Sequence, residues 1–183
     1  MPLTEHEFIL GGQKSGKSRR AEQRAADWLA SGPASRRAVL IATAQAHDDE
    51  MRDRIARHQA DRAERVLGLH TLEEPIELGR AIVTQSAPDT LVVVDCLTLW
   101  LTNLLMPLRT EGAAVVTRTP SAHATLLLIA LREARGPVVL VGNEIGLGVI
   151  PLGRETRAFV DVLGRLNQDV AAPCHPAALM GAG

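Results

Sequence analysis

The sequence predicts a three-layer α/β domain, a mostly parallel sheet with helices on both faces, and three observations predict it. Short β-branched or apolar runs alternate with longer helical patterns, as a succession of βαβ units does. The run Leu91-Val92-Val93-Val94 is apolar throughout rather than alternating, which suits a strand buried on both faces. The 183 residues, 46% of them hydrophobic, suffice for one domain with a real core.

In chain order, strands are expected over Glu7 to Leu10, Ala38 to Ala42, Val66 to His70, Leu91 to Val94 and Val138 to Val141. Each is short and ends near polar or glycine residues. Helices are expected over Lys17 to Ala30, Asp48 to Asp61, Pro75 to Gln85, Leu97 to Leu105, Ala122 to Ala134 and Arg154 to Ala171. The last has the clearest pattern: Phe159, Leu163, Leu166 and Val170 recur at i, i+4, i+7 and i+11, a stripe that must pack on a sheet. Pro107 to Pro120, with Gly112 and several threonines, has no such pattern and reads as a loop. The chain divides into a catalytic domain over residues 1–172 and a tail over 173–183.

A formal net charge of -1 argues against a polyanion-binding surface, so no nucleic acid partner is expected. Cys96 and Cys174 lie far apart, without the spacing of a zinc site and too few for a disulfide scaffold, which suits a reducing compartment. The first residues, MPLTEHEFIL, carry acidic groups where a signal peptide needs basic ones. No apolar run approaches the roughly 18 residues of a membrane span. A cytoplasmic protein is expected. Only Lys14 and Lys17 among the 20 basic residues are lysines, and they fall in one short stretch.

That stretch, Gly11-Gly12-Gln13-Lys14-Ser15-Gly16-Lys17-Ser18, fits the P-loop pattern G-x-x-x-x-G-K-[ST], and it sits where the pattern must, after a strand and at the start of a helix. The backbone curls so that N–H groups of Gly11, Gly12, Gln13, Lys14, Ser15 and Gly16 point at phosphate oxygens, and the helix N-terminus adds its positive dipole end. Lys17 is expected to reach the β- and γ-phosphates and the Ser18 hydroxyl to ligate Mg²⁺. A P-loop NTPase-type, RecA-like fold follows, with GTP or ATP as substrate. Asp95, at the end of the buried strand, suits a metal-holding carboxylate, directly or through water.

Asp48, Asp49 and Glu50 suit a helix N-terminus. Beyond them Glu50, Arg54 and His58 recur every fourth residue with Arg57 beside them, so His58 would sit among cations able to attract a nucleotide phosphate. A neutral imidazole there can attack the α-phosphorus of GTP and form a phosphoramidate. On spacing alone, a solvated, salt-bridged helix face is the favoured reading of the same positions.

Four blocks in order, GGQKSGKS, IATAQAHDDEMRDRIARHQADR, VVVDCLTLWLTNLL and VGNEIGLGVIPLGRETRAFVDVLGRLNQDVA, resemble the adenosylcobinamide kinase and adenosylcobinamide-phosphate guanylyltransferase family from about Phe8 to Ala172. The resemblance implies that an NTP phosphorylates the aminopropanol hydroxyl of adenosylcobinamide. GMP from GTP then passes to that phosphate through an enzyme-bound histidine, giving adenosylcobinamide-GDP. It places the nucleophile on His58, a nucleotide-contacting threonine on Thr43, and further nucleotide-site positions on Arg62, Glu73 and Asp95. Some relatives carry two adjacent histidines where this chain has Arg57 and His58, and the R-I-x-x-H register selects His58. The loop with Asn143, Glu144 and Gly146 to Gly148 follows a strand at its C-terminal edge, where open α/β sheets bind ligands, and is expected near the cobinamide or to be a plain glycine turn. A homotrimer is implied by the resemblance alone.

Two departures stand out. Gln13-Lys14 replaces the usual Ala-Arg, at positions that supply mainly backbone N–H groups. After Ala172 the relatives continue with another strand, whereas Pro173-Cys174-His175-Pro176 and the alanines after them are expected not to supply one, exposing a sheet edge. A plain P-loop small-molecule kinase without guanylyl transfer is the alternative reading. A GTPase-like switch would need an N-K-x-D motif, and with both lysines in the P-loop the chain has none.

Overall fold

A computed structural model describes residues 5–46, 49–107 and 118–181. Their strands and helices alternate except where α5 follows α4: β1 (Glu7–Gly11), α1 (Lys17–Ala30), β2 (Arg37–Ala42), α2 (Asp49–Arg65), β3 (Leu69–Glu73), α3 (Leu78–Gln85), β4 (Thr90–Val94), α4 (Leu97–Leu105), α5 (Pro120–Glu133), β5 (Val138–Asn143), α6 (Arg154–Ala171) and β6 (Ala177–Met180). The strands form one parallel sheet in the order β3-β2-β4-β5-β1-β6. Two apolar clusters confirm three layers. Ile9, Val93, Val139 and Val141 pack with Ala21 and Ala25 of α1 on one face, and Phe8, Val92, Val94 and Leu140 pack with residues of α3, α4, α5 and α6 on the other. β4, buried at every residue, is the doubly covered strand its composition called for.

Three elements start two or three residues away from the sequence reading, for local reasons. The strand expected from Val66 begins at Leu69, because α2 runs on to Arg65, Val66 N–H still donates to Arg62 C=O, and Gly68 at φ 88 turns the chain into β3. The helix expected from Pro75 begins at Leu78, since the Glu74 carboxylate accepts from the Ile76 and Glu77 N–H groups and holds a turn there. α5 starts at Pro120 rather than Ala122, with Pro120 in its first turn and the Thr119 hydroxyl accepting from Ala122 N–H. Of the expected loop, residues 108–117 lie outside the described residues, as does Asp48 at the expected start of α2.

The tail requires a correction. Residues after Ala172 do supply a strand: β6 adds in parallel to β1, with Phe8 paired to Ala177 and Gly11 to Met180. Both prolines stand ahead of the strand, where their missing N–H groups cost no ladder bond, and the Pro176 carbonyl accepts from Phe8 N–H at 3.0 Å. The sheet edge that the tail was expected to leave open on this side of β1 is therefore paired.

Where α5 ends and β5 begins, buried His6 bridges them. Its Nδ1 accepts from Val138 N–H at 3.2 Å and its Nε2 donates to the Leu131 carbonyl at 2.8 Å. Those two bonds require the neutral ring with its proton on Nε2, and burial pulls the pKa below the ordinary 6.5 while the bond to Leu131 works the other way. The unfolded chain therefore binds this proton at a higher pH than the folded one. His6 costs no stability above pH 6.5, and its penalty builds as the pH falls below that value. Urea melts at pH 7.5 and pH 5.5 should show a loss of stability on acidification that is smaller in His6→Gln, whose amide does not titrate; equal losses in both proteins would remove His6 as a source.

Candidate functional site

The P-loop is shaped by where side chains are missing. A Cβ on Gly11 would stand 2.4 Å from the Met180 carbonyl oxygen and 2.6 Å from Ser15 Oγ, so β6 and the loop can close on this residue only if it is glycine. Lys14 at φ 55 and Gly16 at φ 92 take the left-handed conformation that curls successive N–H groups inward. No acidic side chain sits in the first turn of α1 and no side chain caps it, leaving its N–H groups and dipole available to an anion. Lys17 folds over the loop, Nζ donating to the Gly12 carbonyl at 2.5 Å and to Ser15 Oγ at 3.3 Å. Burial lowers its pKa, with nearby Cys96 working the other way.

Across the sheet edge, Asp95 follows β4 and its N–H donates to the Ile41 carbonyl at 3.0 Å. Its Oδ2 lies 3.0 Å from Arg62 Nη2 of α2, and Arg62 Nε lies 3.5 Å from Glu22 Oε1 of α1. Glu22 also pairs with Arg65 at 2.9 Å. Arg62 and Glu22 are both buried, so three elements are tied by charges held out of water. Arg62 Nε itself makes no hydrogen bond.

Of the residues predicted from sequence, Gln13, Lys14, Ser15, Gly16, Lys17, Ser18, Arg62, Glu73 and Asp95 line one cavity of about 510 Å³, within the range of small-molecule sites. Gly11 and Gly12 form the root of the loop behind it. Thr43 is fully buried and does not line the cavity; its hydroxyl donates to the Cys96 carbonyl at 2.7 Å and its carbonyl accepts from Asn103 Nδ2 at 2.7 Å, bracing the turn that carries Asp95.

On α2 the residues that reach the cavity are Ile55, Gln59 and Arg62, spaced i, i+4, i+7, and Gln59 donates to Glu73 Oε1 at 3.0 Å. Sequence reasoning chose the Glu50, Arg54, His58 face instead. Glu50 and Arg57 are exposed, Arg57 donating back to the Asp53 carbonyl, while the side chains of Arg54 and His58 lie outside the described residues. Position 58, three residues after Ile55 and four before Arg62, still falls within the register of the cavity-facing side. The same spacing count applied to Ile55, Gln59, Arg62 and Val66 would have found this face.

Sequence reasoning also passed over Cys96, which lines the cavity and caps α4 through Leu99 N–H. Burial raises its pKa, and the charge of Asp95 adds to that against opposing hydrogen bonds from Leu99 and Thr98, so a neutral thiol faces Lys17. Asn143 lines the cavity as well. The loop beyond it places Leu147, Val149, Ile150 and Leu152 in solvent. Among the described residues no group of three or more His, Cys, Asp or Glu side chains could hold a metal alone, and no helix is long and apolar enough to cross a membrane.

Comparison with known proteins gives a consistent result. Residues 7–183 match the family model described as cobinamide kinase / cobinamide phosphate guanyltransferase. The chain is 45% identical over 172 residues to the bifunctional adenosylcobalamin biosynthesis protein CobP of Pseudomonas aeruginosa, covering 92% of this chain and 88% of the relative. It is 35% identical to the bifunctional adenosylcobalamin biosynthesis protein CobU of Salmonella typhimurium, over 90% of this chain and 89% of the relative. To the protein of the same name from Escherichia coli it is 33% identical, over 96% and 95%.

Removing Arg62 would leave Asp95 without its cation and Glu22 with only the half-exposed Arg65. Arg62→Met, which keeps the volume, should cost about 3 kcal/mol of unfolding free energy, the lower end for a broken buried pair because Arg65 remains. A double substitution Arg62→Met with Glu22→Gln should recover part of it. Urea denaturation of the three proteins checks both, and a loss under about 1 kcal/mol in the single variant would show that the buried charges contribute little.

Proposed function

The chain belongs to the cobinamide kinase / cobinamide phosphate guanyltransferase family, and on that premise we propose that it phosphorylates adenosylcobinamide with ATP or GTP and guanylylates the product through His58. In the first step the substrate hydroxyl oxygen attacks the γ-phosphorus, the bond to the β-γ bridging oxygen breaks, and the nucleoside diphosphate leaves as the hydroxyl gives up its proton. In the second, an imidazole nitrogen of His58 attacks the α-phosphorus of GTP and expels pyrophosphate. The phosphate of adenosylcobinamide-phosphate then attacks the same phosphorus, freeing His58 and giving adenosylcobinamide-GDP.

The observation that carries this reading is that Lys17 of the P-loop and the α2 face in whose register position 58 falls border one cavity. Lys17, with the N–H groups of Gly11 to Gly16, offers the positive charge that β- and γ-phosphates need. Arg62, buried and paired with Asp95 and Glu22, lines the α2 wall of the cavity. Glu73 lines the same wall with Gln59 bonded to it, and Thr43 acts from behind through the Cys96 turn.

Mg²⁺ fits the donor set. The Ser18 hydroxyl and the partly exposed Asp95 carboxylate, both in the cavity lining, are the sparse protein ligation that this ion takes when phosphates supply the rest. Bound there, it would neutralise charge on the phosphate oxygens. The exposed apolar side chains at Leu147, Val149, Ile150 and Leu152 suit a contact between copies, in keeping with a cytoplasmic homotrimer.

Incubation with GTP labelled at the α-phosphate, without corrinoid, tests the covalent step. Acid-labile label should appear on the wild-type chain and be absent from His58→Ala. A folded, GTP-binding wild type that takes no label would leave a plain kinase.

A further inference from the structure

Asn143 ends β5, the strand that lies between β1, which delivers the P-loop, and β4, which delivers Asp95. Its partner across the ladder is Gly11, the root of the P-loop. Side chains alternate along a strand, so Asn143 shares its face with Val139 and Val141, which pack in the cluster beneath α1. Gly142 turns to the opposite face, where an added Cβ would come within 3.1 Å of the Phe8 ring. Asn143 therefore lines the cavity from the same side as Lys17 and Ser18.

The backbone here is pinned. Asn143 N–H donates to Thr98 Oγ1 at 2.9 Å, its carbonyl accepts from Asn167 Nδ2 at 3.3 Å, and the next residue's N–H donates to the Gly11 carbonyl at 3.1 Å. Its carboxamide is not so engaged. Nδ2 has Cys96 Sγ at 4.0 Å, and a neutral thiol is a weak acceptor. A donor on a fixed strand end, with hydrogen-bonding capacity left over, thus faces the space between Lys17 and Asp95. Such a group favours phosphoryl transfer, because negative charge is carried on the equatorial oxygens of the moving phosphoryl and a preorganised donor need not reorient to meet it.

We propose that Asn143 is a catalytic residue of the kinase step, donating from Nδ2 to an oxygen of the γ-phosphoryl group as it leaves the nucleotide. The assignment rests on the cavity being the phosphoryl-transfer site. It also separates this residue from the apolar loop that follows it, whose exposed side chains have no part in the contact.

Asn143→Asp keeps the shape and replaces the donor by a carboxylate, and Asn143→Ala removes the donor without adding charge. In the kinase reaction kcat should fall about 10²–10³-fold in Asn143→Asp and about tenfold or more in Asn143→Ala. Binding of guanosine 5′-(β,γ-imido)triphosphate should weaken about tenfold in Asn143→Asp while binding of GDP stays within about twofold, because only the triphosphate reaches the residue. Unchanged kcat in a folded variant, or parallel loss of di- and triphosphate binding, overturns the proposal. Should Asn143→Asp fail to fold, Asn143→Ala decides by the same two readings. A wild type that binds nucleotide yet turns over no cobinamide defeats the kinase reading itself, and the triphosphate-to-diphosphate ratio still decides the contact of Asn143.

Discussion

The cavity lies where β5 and β1 end level with each other and β4, on the other side of β5 in the parallel sheet, stops three residues earlier. Register enforces this, since Val94 pairs with Leu140, Leu140 with Phe8, and Asn143 with Gly11. Parallel strands lie about 4.8 Å apart, so the P-loop root and the Asp95 turn are offset sideways across the sheet by roughly two strand spacings, and the end of β5 lies between β1 and β4. A slip of one residue in β5 would send Asn143 to the far face and put Gly142 in the cavity. The close approach at Gly142 to Phe8 and the clamp of Thr98 and Asn167 on Asn143 oppose that slip. Position in the sheet, more than any single side chain, brings lysine, carboxylate and amide together.

α2 is attached to this frame differently. Most of its described residues are exposed, and those that turn inward toward the body are Ile55, Gln59 and buried Arg62. With so little apolar surface, the helix depends on its charges: Arg62 reaches both Asp95 and Glu22, and Arg65 reaches Glu22. Buried pairs contribute little net stability but are costly to break, so they fix orientation more than they add affinity. The ladder thereby sets how far position 58 stands from the P-loop. Any group that competes for Asp95, a divalent cation included, competes with the contact that holds the helix.

Much of this was legible in the sequence because the relevant signals are local. The P-loop glycines, the doubly buried β4 and the α6 stripe at Phe159, Leu163, Leu166 and Val170 each announce themselves within a few residues, and α1, α4 and α6 begin and end where the pattern put them. What failed was what depends on distant partners. Val66 is β-branched and reads as strand, yet it continues a helical turn whose burial is decided by α1 and the sheet. The partner of the Thr43 hydroxyl, the Cys96 carbonyl 53 residues away, is likewise announced by no local pattern. The Ile55, Gln59, Arg62 face of α2 was passed over as a face because charge spacing was counted and the one isoleucine was not, though position 58 falls within its register.

The tail shows the same lesson in its sharpest form. Proline, alanine and glycine argue against a strand by propensity, yet propensity governs a strand weakly when a complete partner edge is waiting. β1 presents that edge, and Phe8 N–H needs an acceptor which the Pro176 carbonyl supplies. The resulting closeness at Gly11, where β6 leaves no room for a Cβ, makes the tail part of the frame that sets the P-loop root. Gly11 therefore answers to two demands at once: the curl of the phosphate loop in front of it and the backbone of β6 beside it. The catalytic loop and the last strand of the chain, far apart in sequence, are constrained through one missing side chain.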